Sequence, residues 1–267
     1  MQNAECKMQN YLWLKAILPL LGPFLRINTV FSIGYFVYFC TEKTQKMKSK
    51  IKKLIYIPTF GEEVGNSVSH GVMTILMLLA LPFSAVWAYV HNPTQPILAS
   101  AGVSVFVISL LLMFLCSTLY HSMQHDSKHK AVFHILDHIM IYFAIAGSYT
   151  PVALCVIGGW QGVLIVVIQW VMVLFGIFYK SLSKRSIPSI SLTIYLIMGW
   201  MIVIFFPLFW QQASTPLLAL IGAGGIFYTI GAIFYAKKGF RYHHLVWHLL
   251  INLAVICHFV GIVFFLN

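Results

Sequence analysis

The sequence predicts an all-α fold, a polytopic membrane protein built as a bundle of seven transmembrane helices. Three observations carry that expectation. Hydrophobic residues fill 60% of the 267 positions and charged residues only 9%, against about 25% charged in ordinary soluble domains, and the mean hydropathy is +0.87. Apolar runs of about 20 residues, long enough to cross a ~30 Å hydrocarbon core at 1.5 Å per residue, recur in a regular train. The lysines and arginines fall in every second connection between those runs, as the positive-inside rule demands.

In chain order the predicted spans cover residues 65–90, 97–120, 132–155, 161–179, 190–210, 216–236 and 244–266. Trp87, Trp160, Trp210 and Trp247 fall near span ends, where interfacial anchors belong. Residues 1–46 form a poorly defined N-terminal extension, because the apolar stretch 11–40 is interrupted by Lys15, Gly22-Pro23 and Arg26. It reads as a weak extra membrane segment, an interfacial segment or sequence upstream of a later start at Met47. It has no small-residue cleavage site, which argues against a signal peptide. Residues 47–267 are expected to form the working membrane domain.

Loop charge sets the orientation. Lys43, Lys46, Lys48, Lys50, Lys52 and Lys53 precede the first span. Lys128 and Lys130 follow the second, Lys180, Lys184 and Arg185 the fourth, and Lys237, Lys238 and Arg241 the sixth. The loops after spans one, three and five hold no Lys or Arg. The lysine-rich segment 43–53 is therefore expected in the cytoplasm and the C-terminus outside, in a multi-pass protein of the cell membrane. This distribution assigns the net charge of +11 to topology and anionic headgroups rather than to nucleic acid. The five cysteines are odd in number and lack CxxC spacing, which suggests packing residues rather than a disulfide framework or a thiolate zinc site.

With the topology set, the polar residues in and beside the spans converge at one depth, near the cytoplasmic face. Glu62, Glu63, Asn66 and His70 open the first span, Ser117 and His121 close the second, Asp137 and His138 lie about two turns into the third, and His244 and His248 open the seventh. Residues four apart share a helix face, so His244 and His248 can offer two nitrogens to one ion. With His121 they make the three-imidazole set of an open zinc site. Zinc there would lower the pKa of a water to about 7, with Asp137, the only acidic residue inside the spans apart from the bordering glutamates, as proton acceptor. Asp137 also reads as a structural partner for a neighbouring histidine or lysine. Ser117 suits an oxyanion-stabilising or water-orienting role, or a bond back to its own helix. Glu62, Glu63, Asn66, His70 and His138 are expected to hold or orient the ligands. His125 and His129 read as solvated loop residues, and His243 as facing away from the metal.

These residues resemble the hemolysin III family, related to the progestin and adipoQ receptors. The likeness rests on Glu62-Glu63-x-x-Asn66-x-x-Ser69-His70, on Ser117-x-x-Tyr120-His121, on Asp137-His138 followed by Ala146-Gly147-Ser148-Tyr149-Thr150-Pro151, and on His244-x-x-Trp247-His248. Gly199-Trp200 and Tyr228-Thr229-Ile230-Gly231 resemble lesser signatures. The resemblance covers residue 50 to the C-terminus. It implies a seven-helix bundle with zinc on His121, His244 and His248 and the carboxylate of Asp137 nearby, in a wider group of suspected membrane hydrolases. The expected function is zinc-dependent hydrolysis of a lipid amide or ester, with membrane lipid as substrate. The alternatives are a membrane-lytic, pore-forming protein and a receptor-like sensor with structural zinc.

Overall fold

The computed structural model describes residues 58–125, 127–182, 188–237 and 240–266. The expectations for residues 1–46, for the lysine-rich segment 43–53 and for Lys184, Arg185 and Lys238 lie outside them. Every regular element among the described residues is helical: α1 (Phe60–His91), α2 (Pro96–Ser122), α3 (Lys128–Pro151), α4 (Gly159–Leu182), α5 (Pro188–Trp200), α6 (Phe206–Gln212), α7 (Thr215–Lys237) and α8 (His243–Phe264). Among the described residues six helices are long and apolar enough to cross a membrane, and α5 with α6, bent by 53°, brings the number to seven when the pair is counted as one span.

The bend is a departure from the predicted spans, since residues 190–210 read as a single helix. A short 3-10 turn, Met201–Val203, ends α5, and α6 restarts with a proline in its first turn. Pro207 has no N–H to give, and its ring collides with the carbonyl four residues back. The third span also changes character at a proline: beyond Pro151 it continues as a π-helical turn, Val152–Ile157. It stops at Gly158 and Gly159, whose φ values of 61° and 57° are readily adopted only by glycine.

Helix α2 is the centre of the bundle. Ala99, Val103, Phe106, Val107, Leu110 and Phe114 are wholly buried along one stripe of it, while Ile97, Ile108, Leu112 and Leu115 remain exposed, so one side is apolar for packing and the other for lipid. Helix α1 packs on one side and α3 on the other, while α8 pairs with α7 and returns to α1. Small residues permit the close contacts. A Cβ at Gly176 of α4 would lie 2.6 Å from the ring of fully buried Tyr142 on α3. Gly176→Ala is therefore expected to cost about 1–3 kcal/mol through overpacking, read as a lowered thermal unfolding midpoint in detergent.

Candidate metal centre

The centre is assembled where the start of α1, the end of α2 and the start of α8 meet. Thr59 caps α1: its hydroxyl accepts from the Glu62 amide at 3.4 Å, and the Glu62 carboxylate accepts from the Thr59 amide at 2.7 Å. The second oxygen of Glu62 accepts from the Tyr242 amide at 2.6 Å. Tyr242 is the left-handed residue (φ 62°) that precedes α8. One carboxylate thus satisfies backbone donors at two helix starts, where negative charge is favoured, and it sets α8 against α1. Gly65 receives the Leu245 side chain, and Asn252 donates to the Ser69 carbonyl at 3.3 Å.

That docking brings together the three predicted histidines. One ring nitrogen from each of His121, His244 and His248 lies within 4.8 Å of the others. The ring centroids are 5.1 Å apart for His121–His244, 5.0 Å for His121–His248 and 4.6 Å for His244–His248. His121 and His248 are 5% and 2% exposed. His121 Nδ1 is engaged by Glu63 Oε2 at 2.5 Å, and His248 Nδ1 by the Asn66 carbonyl at 3.3 Å. An ionised carboxylate only accepts, so His121 donates from Nδ1, and in the neutral ring the lone pair then lies at Nε2. That nitrogen is buried with no hydrogen-bond partner. Three converging imidazoles, two oriented through their outer nitrogens and one with a buried orphan lone pair, fit a metal ion by donor chemistry and by geometry.

Asp137 and Ser117 face the same space. Both line a small cavity of about 30 Å³ together with His70, His138, His244 and His248. The Asp137 side chain is 15% exposed. The Ser117 hydroxyl is buried close to Asp137 but outside hydrogen-bond geometry. His138 bonds the His134 carbonyl through Nδ1 at 2.8 Å, and its own carbonyl accepts from the Tyr195 hydroxyl at 2.8 Å.

The residues expected to orient the ligands divide in their contacts. Glu63 touches His121 of the three-histidine group, whereas Glu62 holds helix ends. Asn66 takes part through its carbonyl, and both polar atoms of its side chain are buried without partners. His70 bonds neither glutamate; its ring stacks on His248, with centroids 3.7 Å apart and planes 4° from parallel. His243 turns away and bonds the Phe240 carbonyl at 3.1 Å.

Between α3, the bent span, α7 and α8 lies a much larger cavity of about 720 Å³. Its walls are mainly apolar, and Met113, Ile141, Leu192, Tyr195, Trp247 and Ile251 line it and the small cavity alike. Gly199, Gly222 and Gly225 also line it, and a Cβ at any of them would meet nothing within 4 Å.

A family model described as haemolysin-III related matches residues 59–259, which include every residue of this centre. The chain belongs to the haemolysin-III-related family. It is similar to the hemolysin-3 homolog of Bacillus subtilis (strain 168), at 36% identity over 190 residues, 71% of this chain and 87% of the relative. It is similar also to hemolysin-3 of Bacillus cereus, at 34% over 211 residues, 79% and 90% of the two chains. A more distant likeness, 26% over 213 residues, links it to the monocyte to macrophage differentiation factor of Homo sapiens, with 78% and 85% covered. In this family member, sequence reasoning overlooked Lys130, read there only as a loop charge. Its ammonium donates to Glu63 Oε1 at 2.7 Å and to the Met123 carbonyl at 3.1 Å. A signal was available: Ser127 caps α3 and accepts from the Lys130 amide at 3.0 Å, which places a lysine in a first helical turn, where cations are disfavoured.

Proposed function

We propose that the protein is a zinc-dependent hydrolase that cleaves an amide or ester of a membrane lipid at the cytoplasmic leaflet. The observation that carries this reading is the shared wall of the two cavities: an apolar chamber, within the ~300–1,000 Å³ typical of small-molecule sites, has six lining residues in common with the small cavity that Asp137, His244 and His248 border, and His121 groups with those two histidines. The mainly apolar chamber suits an acyl chain, and the polar end suits the bond to be broken. The basic residues at this end of the bundle, Lys128, Lys130, Lys180, Lys237 and Arg241, support the cytoplasmic orientation. The working unit in this reading is residues 47–267.

His121, His244 and His248 would hold the ion, which supplies Lewis acidity to a carbonyl and to water. Asp137 takes the proton of the attacking water at a carboxylate oxygen and returns it to the leaving amine or alkoxide. Ser117 donates its hydroxyl hydrogen to the oxygen on which charge develops. The walls of the chamber hold the chain and keep bulk water from it.

The test is release of free fatty acid, measured by mass spectrometry, from ceramide-like amides and phospholipid esters in vesicles by the purified zinc-loaded protein. A wild-type protein that holds zinc in 1:1 ratio yet releases none would overturn the reading and favour a structural ion. Chain-length preference offers a finer check. Gly225→Leu fills empty space and is expected to shift selectivity from long toward short acyl chains about tenfold or more, with zinc retained.

The names of the bacterial relatives favour lysis as a second reading. It predicts leakage of dye-filled liposomes that persists in His248→Ala. The clustering of the strongest polar groups at one end of the bundle argues for the hydrolase over a water-lined path.

A further inference from the structure

We infer that Lys130 is a positioning residue of the metal centre, holding His121 in its ligating orientation through Glu63. The inference rests on the metal reading above. Lys130 is only 7% exposed, although a lysine at a helix start normally reaches into solvent. A buried ammonium is unfavourable unless it is paired, and the positive end of α3 makes it more so. Three groups offset it: Glu63 Oε1 at 2.7 Å, the Met123 carbonyl at 3.1 Å and the face of Tyr120, with its ring centre 5.1 Å away.

The carboxylate is shared between its two oxygens. Oε1 is taken by Lys130 and Oε2 by His121 Nδ1. With Oε1 held by the cation, Oε2 stays on the imidazole, and that bond at Nδ1 leaves Nε2 aimed toward His244 and His248. The half-exposed His125, its Nε2 3.4 Å from Glu63 Oε1, makes a longer contact and leaves the ammonium as the principal anchor. Lys130 thereby joins α3 to a metal-facing residue of α2 through a residue of α1. Neighbouring Lys128 is exposed and serves as the internal control.

The experiment compares zinc affinity, by competition with a chelator, in the full chain and in Lys130→Met, Lys130→Arg, Glu63→Gln, the Lys130→Met/Glu63→Gln pair and Lys128→Met. Lys130→Met is expected to weaken zinc binding about 10–100-fold, the range for partners of ligating histidines. Lys130→Arg should recover most of the loss, and Lys128→Met should match wild type. Because Lys130 acts through Glu63, the double variant should bind no more weakly than Glu63→Gln alone. The visible spectrum of the cobalt-loaded protein should shift in Lys130→Met, a change that general destabilisation would not produce. Wild-type affinity in Lys130→Met, or additive losses in the double variant, would overturn the inference. If Lys130→Met fails to fold, the double variant, which buries no charge at either position, and Lys130→Arg still decide it. A wild-type chain that takes up no zinc overturns the metal reading itself, whereas zinc-replete wild type with unaffected Lys130→Met overturns only the role of Lys130.

Discussion

His248→Ala is expected to leave the protein without stoichiometric zinc. His248 has one nitrogen committed to the Asn66 carbonyl, so the nitrogen it offers to an ion is Nε2, and its removal leaves two imidazoles where three converge. Outer partners of metal ligands are worth about 10–100-fold in affinity, and loss of a ligand itself should exceed that range. The measurement is zinc per chain by elemental mass spectrometry after dialysis against a metal buffer, alongside circular dichroism to verify helix content. His70 stacks on the same ring without bonding it, so His70→Phe, which preserves a flat ring, should retain most of the metal. Equal zinc in wild type and His248→Ala would refute the assignment of the centre.

Asp137→Asn is expected to separate binding from chemistry. The amide keeps the shape of the carboxylate but cannot accept the proton, and general-base groups contribute about 10²–10⁴-fold to rate. Fatty-acid release should fall within that range while zinc per chain stays at the wild-type level, since Asp137 lies outside the three-histidine group. A variant that loses zinc and activity together would make Asp137 a ligand or a structural partner rather than a base.

The spans were legible because each is a long apolar run, and lipid leaves the backbone little choice but a helix. Their ends were legible within a few residues for the same reason. The break between α5 and α6 was harder to foresee: Pro207 is visible in the sequence, but Pro82 sits inside α1 without ending it, so the effect of a proline depends on the neighbours that take up the freed carbonyl. The three histidines could be read from four-residue spacing combined with loop charge. Two features could not. Glu63 and Lys130 are 67 residues apart, and nothing in local periodicity links them. The large cavity is a product of what does not meet, and glycines such as Gly222 and Gly225 give the same signal in a tight helix crossing as in an open chamber.

The contact that Glu62 makes with the amide of Tyr242 bears on how the protein is made. It joins α8 to α1, and His244 and His248 arrive only with α8, whereas His121 is already present in α2. A nascent chain that has reached Lys237 therefore owns one of its three imidazoles and no site. In the proposed metal reading, capture would be open only to a chain whose α8 has docked on α1, and an ion that binds this docked state in preference to any earlier one would hold the docking in place.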